Sequence, residues 1–299
     1  MTWDENQPVV IGLGELLWDI FPDGKRPGGA PANVAYQAQQ LGCQGVVASR
    51  VGIDELGDEV IEFLESKGLR TLAIQRDELA PTGRVTVSFN DQNQPEYIIH
   101  ENVAWDKLEF TDDLQQVMER ANAVCFGTLA QRSEVSRRAV MQAVEATSEN
   151  CLRVYDVNIR QNYYDVSWIQ QSLKLASIVK MNDEEVELLA PQLKLPTDEK
   201  EFSITLIKKF DLKLVCITRG SKGCRLTSKE ESITIPGEPV QVADTVGAGD
   251  AFTAGLIYSQ LSGKSLKESG EIANKIGGLV ASHHGAMPEL KDEFTRLIS

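Results

Sequence analysis

The stretch DTVGAGDAFTAGLIYSQL (residues 244–261) decides how the chain is read. Two aspartates, Asp244 and Asp250, bracket a run of small residues, and the sequence then turns apolar. After Asp250, the residues Phe252, Leu256 and Ile257 keep roughly helical spacing, which predicts a helix beginning between Ala248 and Asp250. Glycines just before a helix let the backbone take unusual dihedrals and turn several N–H groups toward one point. Together with the helix dipole, Gly247, Ala248 and Gly249 therefore predict an anion pocket with an acid at its mouth. That acid has two readings: an ordinary first-turn acid, or a base facing an anion, which suits phosphoryl transfer.

Upstream of this stretch, short apolar runs alternate with helix-period segments. PVVIGLGE (8–15), GVVASRVG (45–52), AVCFGT (123–128), RVYDVN (153–158), SIVKMN (177–182) and LVCIT (214–218) have strand length and nearly continuous apolarity. That is the pattern of strands covered on both faces. Between them lie helical segments such as DELGDEVIEFLESKG (54–68), ended by Gly68, and SEVSRRAVMQAVEATSE (133–149), with Ser133 as candidate N-cap. The alternation predicts an α/β fold: a mostly parallel central sheet with helices on both faces. One stretch departs from it. TGRVTVSFN (82–90) alternates polar and apolar residues, turns at DQNQP (91–95) and returns as EYIIHE (96–101), a hairpin suited to a small β-sheet lid. Residues 1–299 are expected to form a single unit, with the lid built from segments near 16–28 and 82–104.

Glu15, Asp156 with Asn158, Asn182 and Thr218 fall at or near the carboxyl ends of the predicted parallel strands. Open α/β sheets bind ligands in the crevice there. Asp and Asn are also common wherever strands end in turns, which accounts for part of this set.

Composition narrows the function. The 299 residues carry a net charge of −14, which argues against a nucleic-acid or anionic-membrane surface, although a few amides and one arginine can still bind an anion locally. The five cysteines form no C-x-x-C and read as buried free thiols, as in a reducing, cytoplasmic setting. The three histidines are too scattered for an obvious zinc site. The acidic amino-terminal segment has no signal-peptide character, and no apolar run approaches the ~20 residues that span a bilayer.

Two familiar phosphate motifs fail. SGKS (262–265) ends like a P-loop, but Tyr258 stands where the earlier glycine belongs; GLGELL (12–17) starts like a dinucleotide fingerprint but has Leu17 in place of the last glycine. A second glycine motif, GGAPANVAYQAQQLG (28–42), leads into a helix with Pro31 near its first turn and Asn33 beyond it.

GGAPANVAYQAQQLG and DTVGAGDAF, in that order, resemble the two signature regions of the PfkB (ribokinase-like) family of carbohydrate kinases. GLGELLWDIFPDG (12–24), NDEE (182–185) and TRGSKG (218–223) resemble its sugar-binding, N-x-x-E and nucleotide-loop segments, and DVNIRQNYY (156–164) is most similar to fructokinases. The resemblance implies that Asp250 is the catalytic base and that the amides of Gly247, Ala248 and Gly249 stabilise the transferring phosphate. Asp19, Gly29 and Asn33 would hold sugar hydroxyls, and Arg160 would bridge phosphates beside the substrate. Asn182, Thr218, Gly220, Gly223 and Asn274 would line the nucleotide. Glu185 would order Mg²⁺ through water, implying ATP and Mg²⁺ as cofactors. Asp244 matches a monovalent-cation position, which would add K⁺, or else only caps the turn. The implied reaction is phosphorylation of a monosaccharide hydroxyl, D-fructose to fructose 6-phosphate before a sugar acid such as 2-keto-3-deoxygluconate. For a sugar acid, Arg84 and Arg132 are the candidate carboxylate partners. The rival of another class is a nucleotide-binding regulatory protein that retains the fold without turnover. Trp18, Tyr97 and Trp105 lie in or near the lid, with sugar contact and core packing both open. The lid is also a candidate surface for a homodimer.

Overall fold

The apolar runs become strands in a computed structural model, which describes residues 3–89 and 95–298. In chain order the first strands are β1 (Val9–Leu13), β2 (Leu17–Phe21), β3 (Gly24–Gly28), β4 (Gln44–Gly52), β5 (Arg70–Asp77), β6 (Gly83–Phe89) and β7 (Pro95–Ile99). They are followed by β8 (Ala123–Gly127), β9 (Leu152–Asp156), β10 (Ile178–Asn182), β11 (Leu214–Thr218), β12 (Cys224–Ser228) and β13 (Ser232–Ile235). The main sheet has nine strands in the order β13-β12-β11-β10-β9-β8-β1-β4-β5. From β11 to β5 every pair is parallel, and β12 and β13 extend one edge antiparallel. That antiparallel edge was not expected from the sequence, because its short strands mix polar and apolar residues.

The helices are α1 (Ala30–Gln40), α2 (Glu55–Ser66), α3 (Asp112–Met118), α4 (Glu134–Glu145), α5 (Val166–Leu175), α6 (Asp183–Leu193), α7 (Glu199–Phe210), α8 (Ala248–Leu261), α9 (Leu266–Ala281) and α10 (Lys291–Ile298). They cover both faces because successive strand residues point opposite ways. On β1, Val9, Ile11 and Leu13 join a cluster with α3 to α7, while Val10 joins one with α1, α8, α9 and α10. Burying side chains on both faces is what makes the strand runs continuously apolar. All five cysteines are buried and free. Among the described residues, no helix is long and apolar enough to cross a membrane.

Local signals set the helix starts. Asp54 accepts the Gly57 amide at 2.8 Å and caps α2. Ser133 does stand at the N-cap of α4 with extended backbone, but its side chain caps no amide.

A second sheet, ordered β3-β2-β6-β7, forms the lid from two separate stretches of chain. β6 and β7 make the antiparallel hairpin, with Val85 opposite Ile99; residues 91–94 of its turn lie outside the described residues. Leu17, Val85, Val87 and Ile99 form its packed side, against Val103, Trp105 and Leu129. Trp105 and Trp18 are buried in core clusters, whereas Tyr97 is exposed. For the two tryptophans, packing prevails over sugar contact.

Candidate active site

Residues of β9, β10 and α1 meet at the start of α8. Gly247, the N-cap, has φ 76°, and a Cβ on it would lie 2.6 Å from Cα of Ala286. The tight left-handed turn therefore requires glycine. Within it, Ala248 N–H donates to the Thr245 carbonyl at 3.3 Å, whereas no acceptor among the described residues takes the amides of Gly249 and Asp250. Those two N–H groups point out of the first helical turn, as an anion site requires.

Asp250 lies in this turn and meets the second glycine motif directly. Asn33 of α1 donates through Nδ2 to Asp250 Oδ2 at 2.7 Å. Burial pushes the Asp250 carboxyl above the usual range and Asp156 adds to the rise, against the Asn33 hydrogen bond, Lys180 and Arg160. Oδ2 is occupied by Asn33, which leaves Oδ1 for a ligand.

The glycine pair is as constrained as Gly247. Gly29 has φ 118°, and its Cβ would sit 2.5 Å from the Glu15 carbonyl; a Cβ on Gly28 would sit 2.6 Å from Asp19 Oδ2. The backbone thus passes tightly between Glu15 and Asp19. Burial raises the Asp19 carboxyl to about 6, opposed by Arg26 and Arg160. Arg160 is exposed, and its charge acts on Asp19, Glu15 and Asp250 together. It stands between two non-glycine residues of positive φ, Asn158 (40°) and Gln161 (50°). Gln161 Nε2 reaches the Tyr97 carbonyl at 2.7 Å, which ties this loop to the lid.

Beside this group the strand ends carry the candidate nucleotide residues. Asn182 and Thr218 face each other in register across β10 and β11. Asn182 caps α6 by accepting the Glu185 amide at 2.7 Å. Glu185 returns the cap, accepting Asn182 N–H at 2.8 Å and Ile159 N–H at 2.7 Å with its two oxygens. Gly220 (φ 52°) and Gly223 (φ 86°) form the next loop. A Cβ on Gly223 would collide with the backbone of Ile235 and Pro236, and Asn274 Nδ2 donates to the Pro236 carbonyl at 3.2 Å. Asn274 and Gly223 therefore meet at one loop although they are far apart in sequence.

Two cation positions can be tested against these contacts. Both Glu185 oxygens already hold amides, and no cluster of His, Cys, Asp and Glu among the described residues could cage a metal. The residues fit a Mg²⁺ held mainly by water and substrate phosphates, with Glu185 fixing waters, and not an all-protein site. Asp244 accepts Val246 N–H and Gly285 N–H, each at 3.0 Å, and so bridges the loops before α8 and after α9. This is the turn-capping role open to it from sequence, with only remaining lone pairs left for a cation.

Two residues outside the sequence-derived site set complete the cluster. Glu15 is 4% exposed, its Oε2 has no partner, and burial pushes its carboxyl up to about 7. Its sequence position, after the first apolar run, places it at the ligand crevice but assigns it no role. Lys180, inside β10, donates to both oxygens of Asp156 at 3.1 Å, and both residues are buried. The available signal was a single lysine interrupting the apolar run SIVKMN.

The sequence pattern of the pfkB family carbohydrate kinases matches residues 19–293. The chain belongs to this family. An uncharacterized sugar kinase of Pyrococcus horikoshii is 32% identical over 93% of this chain and 91% of its own. Its structure in complex with ATP superposes with a TM-score of 0.83, at 31% identity, covering 97% of this chain and 100% of that one. Fructokinase-2 of Oryza sativa subsp. japonica is 30% identical over 94% and 90% of the two chains. The Escherichia coli chain assigned as ribokinase II, solved with ATP and Mg²⁺, gives a TM-score of 0.84 at 25% identity over 98% and 99%. This pfkB carbohydrate kinase therefore shares fold and family with sugar kinases along almost its whole length.

Proposed function

We propose that this kinase transfers the γ-phosphate of ATP to the 6-hydroxyl of D-fructose. The observation carrying the reading is the 2.7 Å bond from Asn33 to Asp250, which joins the two glycine motifs at the start of α8. Asp250 Oδ1 takes the proton of the sugar hydroxyl as the sugar oxygen attacks the γ-phosphorus and ADP leaves. Its raised basicity suits that role. The amides of the Gly247–Ala248–Gly249 turn, with Gly249 and Asp250 the free donors, neutralise charge on the transferring group. Asp19, Gly29 and Asn33 orient the sugar, and Arg160 closes over the phosphate. Asn182, Thr218, Gly220, Gly223 and Asn274 form the nucleotide groove. Glu185 would order Mg²⁺ through water, which would neutralise charge on the ATP phosphates, and Asp244 would hold K⁺ with its remaining lone pairs.

A neutral sugar is favoured over a sugar acid. Arg132 is already paired with Asp106, its Nε and Nη2 bonding the carboxylate at 2.8 and 2.9 Å, and Arg84 is exposed on the lid. Glu15, Asp19 and Asp250 would repel a substrate carboxylate, with Arg160 facing all three acids. The fructokinase relatives support fructose in particular. A coupled ADP-release assay across fructose, ribose, glucose, 2-keto-3-deoxygluconate and nucleosides tests this. Fructose is expected to give the highest kcat/KM; a preference for any other acceptor overturns the fructose assignment, and sugar-independent ATP consumption overturns the kinase reading.

A further inference from the structure

Below the phosphate turn, one buried cation stands among three acids. Lys180 Nζ donates to Asp156 Oδ1 and Oδ2, each at 3.1 Å. Thr253, one turn into α8, donates its hydroxyl to Asp156 Oδ2 at 2.9 Å and lies 3.0 Å from the Gly249 carbonyl. A chain of polar contacts therefore runs from β10 through β9 to the residue preceding Asp250. The ammonium also approaches that turn directly, since a Cβ on Gly249 would lie only 3.5 Å from Nζ.

Burial alone pulls the Lys180 ammonium below its ordinary range, but Asp156, Glu185 and Asp250 outweigh it and hold the group above that range. The same charge opposes the rise at Asp250 and at Glu185. Without it, three carboxylates would share one buried end of the sheet, and like charges at that spacing resist joint ionisation. A structural ion pair would need only one acid, and the bridge through Thr253 to the catalytic turn would be superfluous.

We propose that Lys180 is a positioning residue for phosphoryl transfer. Through Asp156 and Thr253 it fixes the first turn of α8, and with it the place of Asp250 in that turn. The proposal rests on the kinase reading for its catalytic half only; the ordering of the turn is independent of it.

The test compares wild type with Lys180→Met, Lys180→Arg and Thr253→Val, using steady-state kinetics and amide hydrogen exchange. Lys180→Met is expected to lower kcat at least about 10-fold, with the sugar KM within about 3-fold, since ground-state contacts to the sugar remain. Lys180→Arg is expected to recover part of kcat because the charge is kept. Exchange in the first turn of α8 should quicken at least about 10-fold in Lys180→Met while the core strands keep their protection. Thr253→Val keeps the ion pair and removes only the bridge, so it serves if Lys180→Met does not fold; it should quicken the same amides and lower kcat about 3- to 10-fold. A folded Lys180→Met with kcat within about 2-fold and an unchanged first turn overturns the proposal, as does a Thr253→Val indistinguishable from wild type. Wild-type protein without sugar-dependent turnover would sink the kinase reading, and the exchange data would still decide whether Lys180 orders the turn.

Discussion

Asn33 and Asp250 stand 217 residues apart in the chain and 2.7 Å apart in space, amide nitrogen to carboxylate oxygen. One lies in the first turns of α1 and the other in the first turn of α8, and the two helices pack side by side on one face of the sheet. The bond sets the orientation of Asp250 and selects which oxygen stays free.

Asp250→Asn should lower kcat about 10²- to 10⁴-fold, because an amide cannot take the hydroxyl proton. Nucleotide binding should persist, measured by calorimetry, and thermal stability should not fall, since a half-buried acid held above its ordinary range is removed. Near-normal turnover would exclude Asp250 as the base.

Asn33→Ala removes a bond that holds the Asp250 carboxyl down, so the pKa of Asp250 should rise further. A base works when deprotonated; the acid limb of the kcat/KM profile should therefore move to higher pH. The sugar KM should also rise. An acid limb that stays in place would mean the bond has no hold on the base.

Glu15 predicts a stability effect of definite sign. Its carboxyl is raised from 4.5 to about 7 by burial, with Asp250 adding and Arg160 and backbone amides opposing. Between those values the folded state binds a proton that the unfolded state has lost, so stability falls as pH rises through that window. Glu15→Gln should thus gain up to about 3 kcal/mol over wild type at pH 8, and little at pH 4. Urea unfolding at the two pH values measures this; an equal gain at both would place the effect in packing rather than ionisation.

Gly29→Ala should destabilise the protein by about 1–3 kcal/mol and raise the sugar KM, because a side chain is strained at φ 118° and would meet the Glu15 carbonyl. Thermal melts with parallel kinetics read both. A substitution tolerated in both would show that the turn can relax.

In β6 and β7, hydrogen exchange should slow when fructose and a nucleotide analogue are both present, if the lid closes and excludes water. The Gln161 link to the Tyr97 carbonyl provides the connection between the lid and the Arg160 loop. Equal exchange with and without ligands would count against closure.

Local chemistry alone made the layers and the glycine turn legible, while most candidate site residues came from the resemblance of the two glycine motifs to a kinase family. Apolar runs such as AVCFG, of strand length and nearly continuous apolarity, fit strands covered on both faces, and Gly247 before an apolar helix implies a left-handed turn with exposed amides. The antiparallel edge of β12 and β13 was not legible, since short strands of mixed polarity carry little periodic signal. Nor was Lys180, whose meaning depends on acids from β9, α6 and α8 that only the packed sheet brings within reach. Glu15 shows the same division. Its place at a strand end could be read from sequence, but its orphaned oxygen and its raised carboxyl come from burial beside Asp250. Sequence determines what each segment does with its own backbone and apolar side chains; desolvation and charge coupling act through space, and only the tertiary structure decides them.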